Sequence, residues 1–171
     1  MKGFLSKMIF SKYYSPMGEI VIALDGDMLC GLWFAGQKHF LSRYKTDIYF
    51  YSDNEETLKV KNWLDNYFSD NKPNIEQLKI KLEGTQYEMR VWNVLKTIPY
   101  GDTITYKDIA DLLNTKSYQA IGGAVSRNPI SIIIPCHRVI GTNNKITGYA
   151  GGIERKLKLL ELEGVNIVKF K

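Results

Sequence analysis

Two runs of strand-forming residues lie back to back across Asp25-Gly26-Asp27 in "GEIVIALDGDMLCGLWFA". No other stretch of the chain is so restricted in what it can become. β-branched, aliphatic and aromatic residues recur on both sides of a short segment that suits the tight turn of a hairpin. The reading is a β-hairpin, with Cys30 inside its second strand as a small apolar core residue. Such a sheet needs an apolar partner on at least one face. The next periodic segment, "SDNEETLKVKNWLDNYFSD", offers one, because Leu58, Trp63, Leu64, Tyr67 and Phe68 share one side of a helix. Its acidic start suits the positive end of the helix dipole. "DNKPN" over 70–74 reads as a turn, and "IEQLKIKLEG" as a further extended segment.

From about Lys81 the pattern becomes helical. "TQYEMRVWNVLKTI" puts Tyr87, Val91, Leu95 and Ile98 on one face, and "PYGD" stops it. In "TYKDIADLLN", Thr105 and Asp108 have the spacing of a capping box, and Ile109, Leu112 and Leu113 form the expected buried stripe. A brief "TKS" leads to a second short helix, "YQAIGGAVSRN", so the pair is a helix-turn-helix candidate. That second helix would turn Tyr118, Gln119, Gly122 and Gly123 outward. Paired glycines inside a helix cost about 1 kcal/mol each relative to Ala, which close approach by another backbone or a ligand can offset. An apolar strand, "SIIIP", is expected next, then a glycine-rich loop, "IGTNNKITGYAGGIERK", and a last helix, "IERKLKLLELEG", carrying Leu157 and Leu160. The expected fold class is α+β. It comprises a small N-terminal α/β sheet domain over 1–80 and a C-terminal helical, winged-helix-like domain with the helix-turn-helix over 81–171.

Charge is divided along the same line. Residues 1–80 hold ten basic and ten acidic side chains, whereas 81–171 hold thirteen and eight, so the whole net +5 lies in the second half. A basic half suits a polyanion, nucleic acid first, or is simply a solvated surface. No apolar run reaches the ~18 residues of a membrane span, and the first residues lack the pattern of a signal peptide. The expected location is the cytoplasm. Two cysteines without a C-x-x-C, and two histidines far apart, do not suggest a disulfide scaffold or a zinc site, so no metal is expected.

The chemistry concentrates in "IIIPCHRVIG", Ile132 to Gly141, where an apolar run ends on a thiol, an imidazole and a guanidinium. A cysteine is a nucleophile only as thiolate and needs a neighbouring cation, base or helix N-terminus to become one. His137 is adjacent to Cys136, but neighbours in an extended chain point to opposite sides, so direct contact is not assured and a bridging water could link the two. The histidine in turn needs an orienting carboxylate, and Glu161 or Glu163 of the last helix are the candidates. Asn128 could brace the loop with its amide. The plain alternative is an inert core thiol beside a surface histidine.

"IPCHRV" together with "GGIERKLKLLELEG" resembles the O6-alkylguanine-DNA alkyltransferases, also called methylated-DNA–protein-cysteine methyltransferases. The likeness spreads over the chain. "SPMGEIVIA", "WLDNYF", "GTQYEMRVWNVLKTIPYGDTITYKDIA" and "AIGGAVSRNPISIIIPCHRVIG" are similar to family segments and occur in the family's order. The resemblance implies transfer of an alkyl group from O6 of guanine, with O4-alkylthymine as a further substrate, to the motif cysteine. The transfer occurs once per molecule and without a cofactor. It makes Cys136 the acceptor, His137 the proton relay through water, Glu163 its orienting partner and Asn128 the brace. Tyr106 would donate to a ring nitrogen of the leaving guanine, and the carbonyls of Cys136 and Val139 would accept from its exocyclic amine. Gly148, Tyr149 and Ala150 would form the pocket wall, with Lys156 beside it. Tyr118, Gln119, Gly122, Gly123, Arg127, Lys107 and Thr142 would face DNA, the helix-turn-helix entering the minor groove. The implied partner is double-stranded DNA carrying O6-alkylguanine, bound by a monomer.

Extruding the base from the duplex costs a few kcal/mol, less for a damaged pair. Here the sequence departs from the family, which usually inserts an arginine into the stack. Gln119 stands at that position in "SYQAIGG", with Tyr118 as a wedge if the register differs by one. Glutamine loses the charge-assisted part of the contact. Two other classes compete: a lesion-binding module that flags damage without efficient transfer, and a Cys-His hydrolase that turns over.

Overall fold

The computed structural model describes residues 8–44 and 51–171. An antiparallel sheet runs in the order β1-β2-β3: β1 (Met8–Ser15), β2 (Gly18–Asp25) and β3 (Met28–Phe34). The hairpin read from the sequence is present, with Gly26 at a φ of 64° in its turn. Cys30 is buried in β3, as expected. β1, not read from the sequence, pairs with β2 from Met8↔Asp25 to Ser15↔Gly18. The sheet is apolar on both faces. Ile20, Ile22, Leu24, Leu32 and Phe34 enter the main core, while Phe10, Val21, Ala23, Cys30 and Trp33 form a second cluster with Leu41.

Helix α1 (Glu55–Phe68) starts at a capping box in which Asn54 Oδ1 accepts from the Thr57 amide at 2.8 Å. Its buried stripe is Thr57, Val60, Trp63, Leu64 and Tyr67. Leu58 does not belong to it; at 54% exposure it lies off the stripe, because Thr57 and Val60 occupy the core-facing positions of the first turns. The segment after α1 makes a short 3₁₀ turn, Ile75–Gln77, and then one parallel bridge, Leu29↔Ile80.

Five more elements follow: α2 (Gln86–Leu95), β4 (Ile104–Thr105), α3 (Tyr106–Leu112), α4 (Tyr118–Ser126) and, after a 3₁₀ turn at Cys136–Arg138, β5 (Val139–Ile140) parallel to β4. Helix α5 (Ile153–Leu162) closes the domain. The Thr105–Asp108 capping box forms as expected, Thr105 Oγ1 accepting from the Asp108 amide at 3.0 Å. The stripe of α3 is shorter than expected. Ile109 and Ala110 are buried, but Leu112 is 66% exposed because the helix ends there. One apolar core joins side chains of β2, β3, α1, α2, α3, α4 and the 130–139 segment. Among the described residues no helix is long and apolar enough to cross a membrane.

The "SIIIP" segment is not a strand. Ile130 makes a single bridge to Leu32, held by Leu32 N–H to Pro129 O at 2.9 Å and Ser131 N–H to Leu32 O at 2.8 Å. The chain then doubles back, with Ile134 N–H reaching Ile130 O at 3.1 Å. β-branched residues read as strand by local propensity; here a buried amide overrides it.

Candidate active site

That amide is Asn128, 3% exposed. Its Nδ2 donates to Ile134 O at 2.8 Å and Ile130 O at 3.3 Å, while Oδ1 accepts from the Ile130 amide at 3.0 Å. These bonds hold a turn in which Ile132 takes a φ of 69°. Such a conformation costs a non-glycine residue about 1–3 kcal/mol and persists only where the surroundings over-determine it. The turn delivers Pro135 and then the 3₁₀ turn that carries Cys136, His137 and Arg138.

Cys136 is 4% exposed. It lies in the wall of a cavity of about 270 Å³ shared with Lys38, Tyr106, Gly122, Val125, Ser126, Gly148, Tyr149 and Ala150. Burial pushes its thiol up, while the facing Asn128 amide and the Lys156 charge favour the thiolate. His137 is fully buried, and its Nε2 lies 2.6 Å from Glu163 Oε1. A carboxylate only accepts, so Nε2 carries the hydrogen and Nδ1 is left as the base. Nδ1 is buried and has no hydrogen-bond partner among the described residues. Burial lowers the histidine's proton affinity, and Glu163 opposes that. Glu163 caps the end of α5, whereas Glu161 is exposed. The Glu163 carboxylate also accepts from Tyr67 Oη at 2.6 Å, Arg138 Nε at 2.8 Å and Nη2 at 2.9 Å, and the Gly101 amide at 3.3 Å. Burial works against its charge, but His137 and Arg138 outweigh it and hold the carboxyl well below the usual range.

Lys156 is 1% exposed. Its ammonium donates to Val139 O at 2.5 Å and to Thr147 Oγ1 at 3.2 Å. Burial lowers its pKa to about 8, against the pull of Cys136. Thr147 Oγ1 in turn donates to the Tyr106 hydroxyl at 3.2 Å. Burial keeps the Tyr106 phenol protonated, available to donate into the cavity.

A second concavity adjoins the first. Tyr106 and Gly122 line both, and Lys107, Tyr118, Gln119, Gly141, Thr142 and Thr147 complete its walls. Five of the seven expected DNA-facing residues therefore meet in one groove. The other two turn elsewhere. Arg127 Nε donates to the buried Glu88 at 2.6 Å, and Arg43 grips the same carboxylate at 2.7 Å. A Cβ on Gly123 would lie 3.1 Å from the Arg127 guanidinium, so that glycine makes room for the arginine; one on Gly122 would meet nothing within 4 Å. Val139 and Lys156 stand behind the cavity wall. Three residues were given no role from the sequence: Lys38 in the cavity wall, and Tyr67 and Arg138 on Glu163. An arginine inside an otherwise apolar segment was a signal for the last; the other two offered none.

Comparison with known proteins agrees in both halves. The model of the 6-O-methylguanine DNA methyltransferase ribonuclease-like domain matches residues 8–82, and that of the same family's DNA binding domain matches 86–165. A methylated-DNA–protein-cysteine methyltransferase of Methanosarcina acetivorans is 41% identical over 92% of this chain and 99% of the relative. One from Mycobacterium leprae is 40% identical over 87% and 88%. The crystal structure of Mycobacterium tuberculosis OGT in complex with DNA superposes with a TM-score of 0.80 at 37% identity, over 91% of this chain and 93% of that one.

Proposed function

Since the chain belongs to the 6-O-methylguanine DNA methyltransferase family, DNA-repair enzymes that act by direct reversal, we propose that Cys136 accepts the alkyl group from O6 of a guanine in double-stranded DNA. The observation that carries this is a thiol in the wall of a cavity, next in the chain to a buried histidine held by a carboxylate. A water between Sγ and His137 Nδ1 takes the thiol proton and passes it to the histidine, and Glu163 stabilises the resulting imidazolium. The thiolate attacks the alkyl carbon; the S–C bond forms as the C–O6 bond breaks. The guanine keeps the electron pair of that bond and takes the Tyr106 hydroxyl proton on its ring nitrogen, so a neutral base departs; the proton held on His137 returns through water to the Tyr106 phenolate, which restores both side chains. Gly148, Tyr149 and Ala150 form the far wall. The thioether persists because a thiolate is a poor leaving group from an unactivated alkyl carbon, so water does not cleave it and each molecule acts once; the thiol is the acceptor, so the transfer draws on no cofactor.

The target base must leave the stack to reach such a thiol. The groove along α3 and α4 is the DNA contact, with Lys107 and Thr142 near phosphate, Gly122 giving close approach, and Gln119 or Tyr118 filling the vacated space. Arg127 serves DNA only from its tether on Glu88. Residues 1–80 act as the supporting domain and 81–171 as the DNA-binding and transfer domain of a cytoplasmic monomer. The test is intact-protein mass after incubation with a duplex containing one O6-methylguanine. A single gain of one CH2, absent from Cys136→Ser, is expected. Retained lesion binding with no gain in mass would refute transfer.

A further inference from the structure

The mechanism above leaves the buried hydroxyl of Tyr67 unexplained. Tyr67 lies on α1, in the half of the chain that carries none of the reacting groups, yet its Oη donates at 2.6 Å to Glu163 Oε1. This is the same oxygen that takes His137 Nε2 at 2.6 Å. The tyrosine is 1% exposed, and its ring is boxed in. Trp63 stacks on it at 5.7 Å and 8°, and Phe68 and Tyr100 meet it edge-on at 5.3 Å and 5.9 Å. A box of aromatic side chains fixes the hydroxyl without needing the bond it makes. We infer that Tyr67 is a positioning residue of the transfer reaction, setting through Glu163 how readily His137 takes up the thiol proton.

The reasoning is one of shared charge. A carboxylate oxygen that already accepts a short hydrogen bond has less electron density to offer a second donor. Tyr67 therefore weakens the pull of Glu163 on the histidine, lowers the basicity of Nδ1 and keeps the thiol protonated. Burial raises the phenol far above its ordinary range, so it stays a donor at any working pH. The other polar and charged groups around the relay are Arg138 and the Gly101 amide on Glu163; Tyr100, whose hydroxyl is tied to Asp70 at 2.8 Å; and Asn128, Lys156, Tyr106 and Tyr149 around Cys136 and His137. None of these changes when only the Tyr67 hydroxyl is altered.

The inference rests on the proposed role of Cys136, so its test avoids DNA. The rate of Cys136 carboxamidomethylation by iodoacetamide is followed against pH, with peptide mass separating Cys136 from Cys30. Tyr67→Phe keeps the aromatic box and removes the donor; the curve should move to lower pH by about half a unit, roughly threefold in rate on the rising limb. Site-specific 3-fluorotyrosine at 67 keeps the fold and strengthens the donor, and should move the curve the other way. Opposed shifts support the inference. Two curves that overlay the parent, or move in the same direction, overturn it, even if Tyr67→Phe lowers the melting temperature. Should Tyr67→Phe fail to fold, the fluorotyrosine protein decides alone: a shift to higher pH supports the inference and an unmoved curve refutes it. Failure of transfer from O6-methylguanine DNA in the parent protein would count against the proposed function and leave this result standing.

Discussion

Replacing Glu163 by glutamine keeps the shape of the side chain and removes its charge. In the folded protein the carboxylate is 5% exposed and accepts from Tyr67, His137, Gly101 and both arms of Arg138. The amide offers one acceptor where five donors converge, and its NH2 group faces further donors. Arg138, 8% exposed, keeps its charge with only Ile98 O, at 2.6 Å, still accepting from Nη1. Breaking a buried pair from one side costs about 3–5 kcal/mol, because the surviving charge is left uncompensated. At about 2–4 °C per kcal/mol for a chain of this size, Glu163→Gln should melt roughly 6–20 °C lower. Urea unfolding at pH 7.5 measures the free energy, and adding Arg138→Met separates the causes. If the stranded guanidinium is the main cost, the double variant should be more stable than Glu163→Gln alone. The alkyl-transfer rate should fall about 10²–10⁴-fold in both, since His137 loses its anion. A Glu163→Gln cost below about 1 kcal/mol, or a double variant whose cost is the plain sum of the singles, would refute the account of a carboxylate that neutralises a buried cation.

Three further outcomes follow from the same geometry. Gln119→Arg should raise the second-order repair rate on duplex DNA several-fold, by adding charge to the contact that fills the vacated stack, without changing the rate with free O6-alkylguanine base; an unchanged or lower duplex rate would sink the idea. Asn128→Ala strands the buried Ile130 amide and leaves Ile134 O with the Cys136 amide as its donor, and should cost about 1–3 kcal/mol in chemical denaturation as well as slowing transfer. On acidification from pH 8, below the range in which buried Lys156 titrates, the melting temperature should hold to about pH 7 and then fall in two steps. His137 sits below its ordinary 6.5 in the folded state, and Glu163 lies well below 4.5, with Glu88 at about 2. Stability from groups so depressed is present above their unfolded values and lost as pH falls through 6.5 and then below 4.5. A profile flat down to pH 4 would contradict it.

What could be read from the sequence was whatever depends on a few neighbouring residues. The hairpin at Gly26 and the Thr105–Asp108 cap rest on contacts three residues apart or fewer, and both are present. Leu58 and Leu112 show the limit of periodicity. Each fits a helical stripe within a residue or so, and only the partner surface decides which neighbour is buried. The isoleucines of 132–134 have strand propensity, and nothing nearby announces that Asn128 will fold them back. Glu161 and Glu163 are equivalent in composition, and the end of α5 separates them. Tyr67 meets Glu163 across 96 residues, a pairing no local pattern encodes.

That long-range pairing also bears on what the N-terminal half is for. The front of the 128–138 turn must stay open to a base, and its back must be closed and dry for the histidine to remain neutral. The front takes its walls largely from α3, α4 and the 148–150 loop, with Lys38 contributed from beyond β3. The back cannot be closed by the C-terminal half alone. Glu163 takes donors from α1, from Gly101 and from the turn itself, while Leu32 of β3 supplies the bridge that anchors Ile130. Without the sheet and α1, Ile130 would lose its bridge and Glu163 its tyrosine. Water would then reach a histidine whose low proton affinity depends on its burial. On the proposed mechanism, residues 8–44 and 51–82 would therefore do more than support: they supply the Tyr67 donor and the Leu32 bridge behind the turn that carries Cys136.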